Sequence, residues 1–207
     1  MSARIDIVNM ALVWLGAEQI TSLEDDAPEA RVMQTNYALT RDATLEAADW
    51  SFAIERWIPA KDGQSPLTGA QNRFKIPSNI IRVIRVGRPT DGSFGAPDIG
   101  TTGDIYSIDR APQVDHRVES GYILTNEDSI SCKGIRRIAD EGIYSNLFVH
   151  AFAAHLAMLG AYPITESSGK FNAMSALYLL KIKEAKSHDG LQGTSRRVRN
   201  RSLLNVR

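Results

Sequence analysis

The sequence predicts an α+β fold: an antiparallel helical bundle built from the two ends of the chain, a central antiparallel β-rich insertion, and an extended C-terminal arm. Three observations predict it. Apolar residues recur at helical intervals within residues 1–49 and again within 143–189. Residues 50–142 between them carry β-branched runs, two-residue alternation and two long Gly/Pro/polar stretches. Beyond Asp189 the periodicity gives way to GLQGTSRRVRNRSLLNVR, which is basic and contains no acid. The terminal helices must meet if either pair is to bury its apolar stripe, so 1–49 and 143–189 are expected to form one discontinuous domain. Residues 50–142 are then an insertion and 190–207 an arm.

The elements follow in order. Ile5, Val8, Leu12 and Leu15 are spaced three, four and three apart, a short amphipathic helix that Gly16 is placed to end. After ITSLEDD, Asp26 offers an N-cap to a second helix, with Pro28 and Glu29 in its first turn. That helix is expected to run to about Ala48 and to bury Ala30, Met33, Tyr37 and Leu45. In EAADWSFAIERW, at 46–57, the helical spacing stops and Trp50, Phe52 and Ile54 alternate with Ser51, Ala53 and Glu55, so a strand is expected directly from Trp50.

Further strands are expected at IIRVIRV (80–86), IYSID (105–109) and ISCKGIRRI (130–138), with a hairpin in RVESGYILT (117–125) turning on Ser120-Gly121. Loops at 60–72 and 88–103 separate them. The helical period returns after Gly142. Phe148, Phe152, His155 or Leu156, and Leu159 form one stripe, beside a small-residue side of Ala153, Ala154, Ala157 and Ala161. After a break at Pro163, Phe171, Met174, Tyr178, Ile182 and Ala185 mark a last helix over 168–188.

Composition bounds the function. In 207 residues, 43% hydrophobic and 23% charged, the chain has the proportions of a soluble globular protein. Lys plus Arg and Asp plus Glu each total 24, so a nucleic-acid role must be local. One cysteine, Cys132, excludes an intrachain disulfide and a multi-cysteine metal cluster. MSARIDIVNM carries Asp6 and lacks a signal peptide's long apolar core. The apolar stretch 147–162 is interrupted by His150 and His155 and falls short of the ~20 residues a membrane span needs, so no membrane partner is expected.

Chemistry is sparse. His150 and His155 are five apart, on different helix faces, so no helical zinc pair follows and no metal or cofactor is expected. SFGAPDIGTTG lacks a strand-then-helix setting for a phosphate loop, and the serines of TESSGK read as helix caps. Arg82, Arg85 and Arg88 sit three apart, so in a strand with a two-residue period they cannot all share one face, and a groove-reading ribbon is not suggested. Lys133, Arg136 and Arg137 are similarly mixed.

Several stretches, in order, resemble the tail tubular protein A family, the head-to-tail adaptors of short-tailed bacteriophages. LVWLG followed by EQITSLEDD, then YALTRDATLEAADWSFAIERW, then YSIDR, SGYILTN, GIRRIAD and IYSNLFVHAFAAHLA match that family's order over most of residues 3–188. The family runs an arginine-bearing helix directly into a Trp-x-Phe segment, here Arg41, Trp50 and Phe52, which the resemblance assigns to packing at the seam between bundle and insertion.

The resemblance implies a non-enzymatic structural protein of the virion tail, assembled in the host cytoplasm. It would form a dodecameric ring with itself between the portal protein and a tail nozzle like tail tubular protein B, leaving a channel through which DNA passes without sequence-specific binding. The arm residues Arg196, Arg197, Arg199, Arg201, Leu203 and Leu204 are candidates for contact with the portal or a neighbouring subunit, and Phe94 and Asp98 for loop contacts with the nozzle or a neighbour. Two other readings stay open: a virion hydrolase acting on the host cell envelope, and a DNA-binding protein using the C-terminal arginines.

Overall fold

The computed structural model describes residues 3–64, 66, 69–89 and 113–192. Within them the fold is α+β. Helices α1 (Ala3–Leu15), α2 (Pro28–Glu46), α3 (Asn146–Thr165) and α4 (Ser168–Gly190) flank six strands in two small antiparallel sheets. The chain divides into two compact units: one holds the residues up to Met33 and those from Ser145 onward, the other Gln34–Tyr144. Each is described separately.

In the helical unit α3 packs against both α1 and α4. Ala151, Ala153, Ala154, Ala157 and Ala161 are buried along with Phe148, Phe152 and Leu156, so most of the helix circumference is covered. At 20 residues α3 is longer than the apolar stretch read from sequence, and by length and composition alone it could cross a membrane. Half of its most apolar window is buried within the protein, as in the core helix of a globular domain.

Polar side chains fix the helix ends. Gly16 takes the left-handed conformation (φ +71°) after α1, and its N–H and that of Ala17 return to the Val13 and Leu12 carbonyls. The Lys170 ammonium donates to the Leu15 carbonyl at 3.2 Å, satisfying another acceptor at the same helix end. Asn9 bonds both backbone groups of Ile20 at 2.9 Å, folding the following loop back onto α1. Asp25 organises the approach to α2 by accepting from Thr21 and Ser22 N–H groups, while Asp26, the expected cap, pairs with Arg31. Ser145 and Ser167 cap α3 and α4 by accepting from Phe148 and Lys170 N–H. Pro163 lies inside the last turn of α3, and the break follows at Glu166, which is left-handed.

In the β unit, β1 (Ile54–Trp57), β6 (Ser131–Arg136) and β3 (Ile80–Gly87) form one sheet with β6 central. A second sheet has β5 (Tyr122–Thr125) between β2 (Asn72–Lys75) and β4 (Arg117–Glu119). One apolar core takes Trp57, Val83, Val86 and Cys132 from the first sheet and Phe74 and Ile123 from the second, closed by Ile76, Val114 and Ile130. The turn between β4 and β5 has Ser120 at φ 51° and Gly121 at φ 80°, the pair of positive φ values a two-residue hairpin turn requires.

Two sequence expectations are corrected. The strand does not start at Trp50: α2 ends at Glu46, Ser51–Ala53 form a 3-10 turn, and β1 begins at Ile54. Trp50 and Phe52 therefore owe their spacing to a tight turn, not to a pleat. Strand β2 was not expected, because NRFK has only two alternating apolar-facing positions, Asn72 and Phe74, and one of them is polar. As expected, Arg82, Arg85 and Arg88 do not all share one face, although the first two do. The expected strand at 105–109 lies outside the described residues.

Candidate functional site

The seam residues all lie in the β unit, beside the second half of α2. Trp50 is fully buried, and its indole N–H donates to the Thr44 carbonyl in the last turn of α2 at 2.9 Å. Its ring stacks on Phe52 with centroids 6.1 Å apart, and Phe52 meets Tyr144 at 5.9 Å. The Tyr144 hydroxyl donates to the Ile138 carbonyl at 2.7 Å, tying this aromatic series to the chain just after β6. Arg41 is also buried, but it engages its neighbour Asp42, which accepts from Arg137 as well, at 2.7 Å. Thus the Trp50 and Phe52 rings stack on one another, and Arg41 belongs to an adjacent Arg41–Asp42–Arg137 charge cluster.

On the face of the β1–β6–β3 sheet that carries Ile135, two of the three arginines read from the sequence come together. A plain two-residue period separates Arg82 from Arg85. Strand β3, however, is irregular between Val83 and Arg85: Val83 pairs with Gly134, Arg85 with Lys133, and Ile84 is the extra residue of a bulge. Arg82 pairs with Ile135 and Arg85 with Lys133, two residues apart on β6, so both arginines emerge on the same face. Arg56 of β1 pairs with Lys133 from the other side. The result is a direct cross-strand row Arg56–Lys133–Arg85, with Arg82 one row further along.

The opposite face of the same strands holds the core row Trp57–Cys132–Val86. Arg82 is held by Asp49. Arg88 is not in the row: it makes a two-pronged pair with Glu127 at 2.8 and 3.0 Å, and this hydrogen-bonded carboxylate raises its pKa above the ordinary value. The bulge at Ile84 brings Arg82 and Arg85 to one face, and Arg88 follows the strand. A bulge has no reliable signature in IIRVIRVG, so the sequence offered no signal for it.

Among the described residues the titratable groups do not assemble a nucleophile. Cys132 sits in the β core, where burial pushes its thiol up to about 12, far from thiolate reactivity at neutral pH. His116 lies with Nδ1 2.8 Å from the Val114 carbonyl. His150 stacks on Trp14, and His155 stacks on Tyr178 at 4.2 Å, where burial lowers its pKa. Among the described residues no three His, Cys, Asp or Glu side chains are placed to hold a metal.

Open hollows among the described residues include two. One of about 340 Å³ lies beside β4, lined by Asp115, His116, Arg117 and Thr125; the other, about 470 Å³, lies between Ser145 and Asn146 at the start of α3 and Glu184 and His188 near the end of α4. The first is mainly polar and the second slightly more apolar, and no activated group is described in either. Phe94, Asp98, Arg196, Arg197, Arg199, Arg201, Leu203 and Leu204 lie outside the described residues. Compared with known proteins, the chain matches no family profile and no curated protein sequence.

Proposed function

We propose that the chain is a structural head-to-tail adaptor of a short-tailed phage virion, without enzymatic activity, forming a ring between portal and tail nozzle. In this reading residues 1–49 and 143–189 act as the ring-forming wedge, an antiparallel bundle, and the 50–142 insertion projects toward a neighbouring subunit or the nozzle. The arm at 190–207 reaches the portal or the next subunit. Twelve copies and a central DNA channel are what the family resemblance implies.

The observation that carries the proposal is apolar surface on the helical unit. On α3 and α4, Tyr162, Leu179 and Leu180 are each at least 60% exposed, and Leu159 and Phe171 are also exposed. Large apolar side chains left open on two packed helices fit an interface between copies better than a free surface. The aromatic seam at Trp50 and Phe52 supports the same reading, since it stiffens the point where α2 gives way to the β insertion.

Electron microscopy with mass determination of the purified protein, alone and mixed with its cognate portal, tests it. Closed rings, or a monomer that becomes a ring on the portal, are expected. A monomer indifferent to portal overturns the proposal. Deleting residues 191–207 is expected to reduce attachment to portal-containing heads, and normal attachment of that variant removes the role given to the arm.

A further inference from the structure

Strand β4 is an edge of the second sheet: β5 pairs with it on one side, and no described strand lies on the other. An edge strand presents unpaired backbone groups to which another strand can bond. All three of its residues, Arg117, Val118 and Glu119, are exposed, Val118 by 51%. Which backbone groups face outward follows from the turn. A two-residue hairpin closes on a hydrogen-bonded pair, here Glu119–Tyr122, and hydrogen-bonded and non-hydrogen-bonded pairs alternate along the ladder. The next pair, Val118–Ile123, is of the second kind, so the N–H and C=O of Val118 point away from β5. We propose that β4 is a self-docking edge, which pairs antiparallel with β4 of a second copy of this chain about a two-fold axis at Val118.

The segment Arg-Val-Glu is its own complement in that arrangement. The outward N–H of each Val118 donates to the outward C=O of the other, and each Arg117 stands opposite Glu119 of the second copy. Arg117 and Glu119 lie on one face of β4, with Nη1 and Oε1 4.0 Å apart and side chains 81% and 55% exposed. They occupy the positions where opposed side chains approach most closely, and opposite charges there are stabilising. Charge also rejects the neighbouring registers. An antiparallel shift of two residues sets Arg117 against Arg117 or Glu119 against Glu119, and parallel pairing in register sets both like pairs together. On the other face Val118 stands beside the core residue Ile123, so pairing covers both valines at the open margin of the core. The two three-stranded sheets become one of six strands. Such a two-fold contact closes on itself and adds a single copy. It uses the β unit alone and is separate from the ring contact proposed for the helical unit, so each stands or falls without the other.

The test is sedimentation equilibrium of the full chain at concentrations up to ~1 mM, the range suited to a contact this small. Reversible, concentration-dependent pairing is expected. Arg117→Glu and Glu119→Arg, each alone, set like charges opposite one another at both positions, and each variant is expected to self-associate at least about tenfold more weakly than the starting chain. Mixed in equal amounts, the two variants restore opposite charges at both positions, and the mixture is expected to associate at least as tightly as the starting chain. Val118→Pro removes the outward N–H, a change that an edge strand tolerates, and is expected to abolish pairing. Each variant is checked for unchanged thermal unfolding. If rings form through the helical unit, the rescue on mixing still reads β4, since neither charged position belongs to that unit. A starting chain without concentration-dependent association, single variants that associate as tightly as it does, or a mixture no tighter than either variant alone overturns the proposal.

Discussion

Two glycines make opposite predictions for the same substitution. A Cβ at Gly134, in the central strand β6, would lie 2.6 Å from the Arg82 carbonyl oxygen and 3.0 and 3.1 Å from two ring carbons of Trp57. Ordinary contact begins at 3.4 Å, so the added methyl is about 0.8 Å too close to a backbone atom. That carbonyl belongs to β3, whose ladder to β6 runs through the Val83–Gly134 pair and the bulge beside it. It cannot withdraw without straining the ladder, and the Trp57 ring cannot yield without disturbing the core.

Overpacking of this kind costs about 1–3 kcal/mol, and the stiffer unfolded chain of an alanine variant returns about 0.4–1 kcal/mol. Gly134→Ala should therefore lose about 1–2 kcal/mol, or roughly 2–8 °C in Tm for a chain of this size. At Gly160 in α3 the nearest atom is the Met33 Cε, at 2.9 Å. A methionine terminus turns aside through its own rotations, and alanine gains about 0.8–1 kcal/mol of helix propensity over glycine. Gly160→Ala should be neutral or stabilising by up to ~1 kcal/mol. Urea and thermal unfolding of the two full-length variants, followed by circular dichroism, decide the matter. A Gly134→Ala protein as stable as the parent, or a Gly160→Ala protein less stable than Gly134→Ala, would refute the claim that the identity of the neighbouring atom sets the sign.

Three more outcomes follow from the same structure. Trp50→Ala should cost about 3–5 kcal/mol by emptying a fully buried site, whereas Trp50→Phe keeps a ring there and gives up chiefly the bond to the Thr44 carbonyl, about 1 kcal/mol; denaturant titration separates the two. Cys132 should resist iodoacetamide in the native protein at pH 8 and react fully in guanidinium. Because burial holds its folded pKa at about 12, above the unfolded value, its contribution to stability is intact at neutral pH and declines as pH rises from about 9 toward 12. His155 has the reverse sign: burial lowers its folded pKa, so the unfolded chain takes up the proton first. Stability is then complete above about pH 6.5 and falls on acidification below it, and His155→Phe should flatten that part of the pH profile.

The helices were legible because their signals are local. The three-and-four spacing of Ile5, Val8, Leu12 and Leu15, the glycine after α1, and the serines before α3 and α4 each act within one or two turns of chain. The Ser120-Gly121 hairpin was legible for the same reason, since two consecutive positive φ values depend on two residues. The end of the last stripe was less so. Ile182 and Ala185 are buried as the period requires, yet Phe171 on the same stripe is 40% exposed, because periodicity marks a face and cannot supply the element that covers it. At the seam, Trp50, Phe52 and Ile54 alternate in sequence, but a 3-10 turn brings the Trp50 and Phe52 rings together in a way the same alternation would forbid in a strand.

The cationic row shows where local reading must fail. Arg82 and Arg85 are separated by three residues, and any argument from β3 alone sends them to opposite faces. Their common direction comes from β6, which advances two residues, from Ile135 to Lys133, while β3 advances three. One strand's count is set by its partner's, so the face a residue occupies is a property of the pair. Gly134 lies in the middle of that exchange, paired with Val83 on the near side of the bulge and overlain by Trp57. A substitution that shifts β3 relative to β6 would therefore disturb both the core packing on one face and the alignment of Arg85 with Lys133 and Arg56 on the other. Gly134→Ala should therefore lower stability through the β3–β6 register as well as through Trp57, while Gly160→Ala leaves both intact.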